Sequence, residues 1–466
     1  MTVLLLPVIA AVVLAGVATI LARPQRGLLA LVALAPFHGL LVIAPLPSIA
    51  TGWKEGVVLL TLAASLARPA APRVGGRLTS WQFAAGAWVL LGVASVVVGG
   101  RISALVGLKV SFFYLLLVVV ALRTPLTRRD RDVLVTVLMF NGFVTSVYGI
   151  VQQALGPTRL HALGYPYDDV IRTAGGHLRS FTTFNQPFPF AFFVMTVLLV
   201  CLPIALSEPR RVRNQLFLLA SPVLALGMLT AIVRGAILGL LVGLLVLAAR
   251  RYRVVLVGLP VAGALLVLAP ASLATTVTSA SSLQERTAVW SARLGQLINA
   301  PFGNGVGTTG SAADKTAGLG AAGGPGGVDA LLKSYAGTAS PLRARSGSVA
   351  PSIVAVQPDN AYYITAYELG IPGLWLMLLT FVGALADFSR LGSLVRPEDR
   401  PWADSLTALV AAVLAVSVVS AYLQLFPDEL LLWLLLGIAS SIPRAASGTP
   451  PRESSQLPPP AVARVG

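Results

Sequence analysis

PFPFAFFVMTVLLVCLPIAL, residues 187–206, carries no charged side chain. About 20 apolar residues make a helix long enough to cross the hydrocarbon core of a bilayer, so this stretch reads as a membrane span. Similar runs on both sides place spans at 3–21, 27–46, 55–67, 82–99, 103–122, 133–154, 214–232, 235–249, 254–272, 361–386, 403–425 and 428–443. The third is short, the fifth contains Lys109, and Arg234 splits one long apolar stretch into two. The expected fold is an all-α polytopic membrane protein of about 12–14 transmembrane helices, 13 preferred, with a long outer loop before the last three.

Composition agrees. Of 466 residues, 56% are hydrophobic and 11% charged, and the mean hydropathy is +0.82. Soluble domains carry about a quarter charged residues, so lipid must replace water over most of this surface. The single cysteine, Cys201, excludes an intramolecular disulfide. The net charge of +16 does not point to nucleic acid in such a chain, because basic residues hold cytoplasmic loops inside. When alternate loops are taken as cytoplasmic, beginning after the first span, they collect Arg23, Arg68, Arg123, Arg131, Arg213, Arg251 and Arg400 with their basic neighbours. This sorting predicts an external N-terminus, an internal C-terminus and a multi-pass membrane protein.

Four regions follow: N-terminal spans over 1–272 with an outer loop at 155–186, a large extracytoplasmic loop at 273–360, C-terminal spans over 361–443, and a disordered cytoplasmic tail at 444–466. No internal repeat suggests duplicated halves.

An arginine in or beside lipid needs an anionic or polar partner. Arg234, within LTAIVRGAILGLL (229–241), stands at a predicted outer boundary. It reads either as an interfacial arginine snorkelling to water or as a fixed guanidinium for phosphate or pyrophosphate. RSFTTFNQPFPFA (179–191) brings Arg179 and Asn185 to the start of a span, as an interfacial anchor or as a substrate contact. In ERTAVWSARLGQLINAPFGNGVGTTG (285–310), Arg286 and Arg293 are seven residues apart and share a face of a helix. A glycine-rich turn follows at 301–307, with no preceding strand to make it a phosphate loop. In QPDNAYYITAYELGIPG (357–373), Asp359 and Asn360 open a helix, where helix capping is the ordinary role. Glu368, nine residues on, requires either a substrate or a structural hydrogen bond.

The order of these segments resembles the O-antigen ligase and O-antigen polymerase superfamily over roughly 130–375. The resemblance implies a metal-independent glycosyltransferase with no cofactor, working at the outer face of the plasma membrane. Its donor would be a glycan on undecaprenyl diphosphate, its acceptor a sugar hydroxyl on a glycan or glycolipid, and membrane lipid its surroundings. It implies that Arg234 and Arg286 bind the diphosphate and steady the leaving group, with Arg179, Asn185, Arg293, Asn360 and Glu368 beside the substrate. Asp359 stands where ligases of this family usually carry histidine, followed by Asn360 as in the family. Aspartate there would deprotonate or orient the acceptor hydroxyl, or only cap the helix, leaving His161 or His177 as substitutes. Val233 replaces a serine common before the arginine. The competing expectation is a transporter or flippase of a lipid-linked or anionic precursor, with charges deep in the helices and helices broken at mid-membrane.

Overall fold

The structure, a computed structural model, describes residues 2–44, 48–70, 78–99, 102–168, 170–257, 295, 297, 298, 300–316 and 360–443. It is mostly helical. The helices are α1 (Thr2–Ala22), α2 (Pro24–Leu34), α3 (Trp53–Leu66), α4 (Ser80–Gly99), α5 (Ile102–Phe112), α6 (Leu116–Arg123) and α7 (Arg128–Ala162), then α8 (Pro187–Ser207), α9 (Val212–Thr230) and α10 (Arg234–Arg250). After them come α11 (Gly310–Thr316), α12 (Ala361–Leu394), α13 (Arg400–Ser417) and α14 (Asp428–Ser440). One hairpin pairs β1 (Arg172–Ala174) antiparallel with β2 (His177–Arg179).

Seven helical segments among the described residues are long and apolar enough to cross a membrane. The predicted spans fall on helices or on a helix continued by a 3-10 turn, except 254–272, which lies almost wholly outside the described residues. Three boundaries differ from expectation. Helix α7 starts at Arg128 and runs to Ala162, through the start of the predicted outer loop, with a kink at Gly156 and Pro157. The span expected at 403–425 ends at Ser417, and an irregular link follows. The span over 103–122 is broken between α5 and α6 by a 3-10 turn at Phe113–Leu115.

Helix α8 is the central element. Its apolar residues encircle it, the pattern of a helix buried on every side. Phe190, Phe192, Phe193, Met195, Leu198 and Cys201 are all buried against neighbouring helices. The protein itself buries 78% of this span, against 28% for α4 and for α9. This charge-free run therefore meets protein more than lipid.

At one end of the bundle the arginines of alternate short loops meet. Arg131 pairs with Asp399 at 2.6 Å, Arg213 with Asp132 at 2.8 Å, and Arg251 with Asp404 at 2.7 Å. Arg68 donates to the carbonyl of Leu21 at 2.8 Å, and Arg123 to that of Arg68 at 3.0 Å. Arg131 is buried with its partner rather than solvated in a loop. The opposite end carries the hairpin, the α9–α10 turn, the 300–316 segment, the start of α12 and the link at 418–427.

Candidate functional site

The site is built from the loop-bearing end. The strap at 178–186 cannot form ladder bonds beyond its hairpin, so α7 supplies the partners. Buried Gln152 accepts the N–H groups of Phe181 (3.1 Å) and Thr182 (2.8 Å) through Oε1. Gln153 donates to the carbonyl of Leu178 at 2.8 Å and to Ser180 Oγ at 2.7 Å. Ser180 donates its N–H to the carbonyl of Thr230 at 3.0 Å, and Arg179 Nε donates to that of Ala231 at 3.2 Å. The hairpin also rests on a small second core that includes Leu160, Tyr165 and Phe181. Burial, and then the neighbouring Tyr148, pushes the Tyr165 hydroxyl up to about 12.

These bonds fasten Arg179 to the turn that delivers Arg234. Two β-branched residues there hold left-handed backbone: Thr182 in the strap (φ 55°) and Ile232 in the turn (φ 51°). For such residues this conformation is a true outlier costing about 1–3 kcal/mol, and such outliers cluster at functional sites. Arg234 is the first residue of α10, and Val233 provides no side-chain cap. The Arg179 guanidinium also lies over the Phe188 ring, 4.8 Å from its centroid.

The link at 418–427 joins this corner to the rest of the end. A Cβ added to Gly235 would touch Val419 and Phe192. Ser420, next along, accepts the N–H of Ala361 at 3.2 Å. Asn360 caps α12, its Oδ1 accepting the N–H of Tyr363 at 3.0 Å. Helices α8, α10, α12 and α14 thus all begin at this end. Each N-terminus carries about half a positive charge; at α14 the acidic Asp428 and Glu429 of the first turn meet it, whereas at α10 it adds to Arg234 in favouring an anion.

Glu368 has a different surrounding. Helix α12 is interrupted at Gly370 (φ 69°), with Pro372 just beyond, which frees carbonyls that lipid cannot satisfy. The segment 301–309 fills the break. Asn304 and Gly305 donate their N–H groups to the carbonyls of Tyr367 (2.8 Å) and Glu368 (2.9 Å), and Ile371 donates to that of Pro301 (2.9 Å). The Glu368 Oε1 accepts the N–H groups of Gly307 (2.9 Å) and Thr309 (3.2 Å). The glycine-rich turn is present, and the carboxylate it cradles is the protein's own.

Arg179 and Arg234 are therefore brought to one turn, with Asn360 joined to it through the 418–427 link. Asn185 is exposed at the far end of the strap. Glu368 clasps a loop. Asp359, Arg286 and Arg293 lie outside the described residues. His161 makes a hydrogen bond of 3.0 Å between Nδ1 and the carbonyl of Tyr165 and closes a helix end, and His177 opens β2. Gln152 and Gln153 were not legible as site residues. Their one signal is a pair of polar side chains in an apolar span.

Gly39 carries the contact to the first helices, because a Cβ there would strike the backbone of Phe184 and Asn185. The adjacent His38 accepts the Trp53 Nε1–H at Nδ1 (3.2 Å), and its Nε2 lies 3.0 Å from Lys54 Nζ. No protein-family model matches the chain, and no curated protein matches it.

Proposed function

We propose that this membrane protein is a glycosyltransferase that takes a glycan from an undecaprenyl diphosphate carrier and joins it to a sugar hydroxyl, at the extracytoplasmic ends of its helices. The observation that supports this reading most is the fastening of Arg179 and Arg234 to one strained turn at a helix N-terminus. A fixed guanidinium is suited to phosphate oxygens through its planar fork. In the proposed reaction these arginines, with Arg286 from the large loop, hold the departing diphosphate. Asp359 orients or deprotonates the acceptor hydroxyl, and direct attack inverts the anomeric centre. The lipid diphosphate is already activated, so the reaction calls for no nucleotide.

The test is donor binding by the purified protein in lipid nanodiscs, with undecaprenyl diphosphate as the probe. One charge-assisted contact is worth about 1.5–3 kcal/mol, so Arg234→Ala should weaken binding about 10- to 100-fold. Unchanged affinity in that variant would remove Arg234 from the site.

A second reading, transport of the same precursor, draws on one observation: α12 is broken next to the buried Glu368. Discontinuous helices with an acid at the break form ion sites in transporters. Here the 301–309 segment already occupies the break and the carboxylate, which favours surface chemistry.

A further inference from the structure

A cavity opens between α4, α5, α12 and the link at 418–427. Its wall includes Trp88 of α4, Ser111 of α5, Glu368 of α12 and Gln424 of the link. The free volume is about 370 Å³ with the open mouth included, and about 20 Å³ of it has room for a water-sized group. That narrow part takes about one water or one hydroxyl. A larger ligand enters it with a single group and rests in the mouth.

The polar groups of the wall are partly unused. Trp88 is 3% exposed, and its indole N–H has no acceptor among the described residues. A buried donor left unpaired is costly and calls for a partner. Trp81 and Trp433 share that lack, and Trp88 is the one of the three that lines this cavity. Glu368 brings acceptor oxygens. Its clasp with Gly307 and Thr309 engages Oε1, and a carboxylate offers more acceptor sites than two N–H groups fill. Gln424 accepts the Ser311 N–H at Oε1 (3.0 Å), which leaves its NH2 group to donate. The Ser111 hydroxyl does both.

This set selects the ligand. A phosphate would face the Glu368 carboxyl group. A metal cation would face the N–H groups of Trp88 and Gln424, and among the described residues no group of three His, Cys, Asp or Glu could hold one. A hydroxyl answers both signs, accepting from Trp88 and donating to Glu368. The rest of the wall, with Phe112, Ile364 and Leu423, is apolar and suits the C–H faces of a sugar ring.

We propose that this cavity binds one neutral sugar residue of the acceptor, with a ring hydroxyl between Trp88 Nε1 and Glu368; the assignment to the acceptor rests on the transferase reading above. Two connections support it. Ala361 lines the cavity two residues after Asp359, which that reading gives to the acceptor hydroxyl. Gln424 belongs to the link that holds Val419 beside Gly235, and the five residues from Val419 to Gln424 span at most about 18 Å. The cavity is therefore within reach of a bond formed beside Arg234.

The test is saturation-transfer NMR on the full chain in nanodiscs, in buffer without glycerol. The probes are the methyl glycosides of glucose, mannose, galactose and rhamnose, with empty nanodiscs as the blank. At least one glycoside should bind saturably. Trp88→Phe keeps an aromatic ring, removes the N–H, and should weaken that binding about 3- to 10-fold, the equivalent of one hydrogen bond. Ser111→Leu fills the narrow part and should abolish it. Both variants should keep the thermal midpoint and the affinity for undecaprenyl diphosphate, which a merely misfolded protein would lose. In cells, Ser111→Leu should lose polymer. Absence of saturable binding by every glycoside, or equal binding by the unaltered protein and Trp88→Phe, would overturn the proposal. Full polymer made by Ser111→Leu would overturn it too. Saturable glycoside binding by an unaltered protein that does not bind undecaprenyl diphosphate would instead defeat the transferase reading and leave the sugar site standing.

Discussion

The Nε of Arg179 donates to the carbonyl of Ala231 at 3.2 Å, three residues before Arg234, so the arginine of the hairpin strap sets the turn that presents the arginine of α10. The two cations are one structural unit built from segments about fifty residues apart.

That coupling distinguishes Arg179 from an ordinary surface arginine. Arg179→Ala should weaken undecaprenyl diphosphate binding by about tenfold or more, by removing one cation and loosening the turn. Arg179→Lys should recover only part of the loss, since an ammonium cannot hold the Ala231 carbonyl and a phosphate in the same fork geometry. Binding measured in nanodiscs checks both, and full recovery by lysine would show that only charge matters.

Gln152 is the second test of the strap. It is buried, and its Oε1 takes two strap N–H groups. Gln152→Leu leaves both amides without that acceptor, at about 1–3 kcal/mol each. The thermal midpoint in detergent should fall, with donor binding falling in parallel. Gln152→Glu keeps an acceptor oxygen but loses the Nε2 bond to the carbonyl of Thr182 at 3.3 Å and buries an acid, so it should also lose stability.

Glu368 should behave as a clasp. Glu368→Ala removes the acceptor from the N–H groups of Gly307 and Thr309, again at about 1–3 kcal/mol each. The expected result is a lower thermal midpoint and faster proteolysis near residue 305. Glu368→Gln should retain most of the stability and donor binding. A loss of donor binding in the Gln variant with stability intact would give Glu368 a direct role in the site.

The opposite end separates buried from exposed ion pairs. Arg131 and Asp399 are both buried, whereas Arg128 and Glu398, 3.2 Å apart, are 63% and 36% exposed. Arg131→Ala strands a buried carboxylate and should cost about 3–5 kcal/mol. Arg128→Ala should change stability by less than about 1 kcal/mol. Thermal unfolding of the two variants side by side reads the difference.

Local signals in the sequence were legible and long-range ones were not. The charge-free run at 187–206 predicts α8 because a span needs no partner to be recognised, and Asn360 reads as a cap because capping acts within one turn. The loop arginines sort by sequence alone, yet Arg131 gives no sign of its buried pairing with Asp399, 268 residues away. The break at Gly370 is foreshadowed by Gly370 and Pro372, but the segment that plugs it comes from about sixty residues earlier. Gln152 and Gln153 look like minor impurities in an apolar helix until the strap is placed on them. His38 and Lys54 stand at the ends of two ordinary spans, and only the packing of α2 against α3 brings them together.

Arg234 is proposed to hold the diphosphate of a lipid-linked donor. The most direct measurement is the lipid-linked glycan pool, assayed on each face of the membrane, with the surface polymer, in cells carrying Arg234→Ala. The variant should stay in the membrane at normal levels, polymer should be lost, and undecaprenyl-linked glycan should build up on the outer face. Accumulation on the cytoplasmic face would contradict it and assign the protein to transport instead.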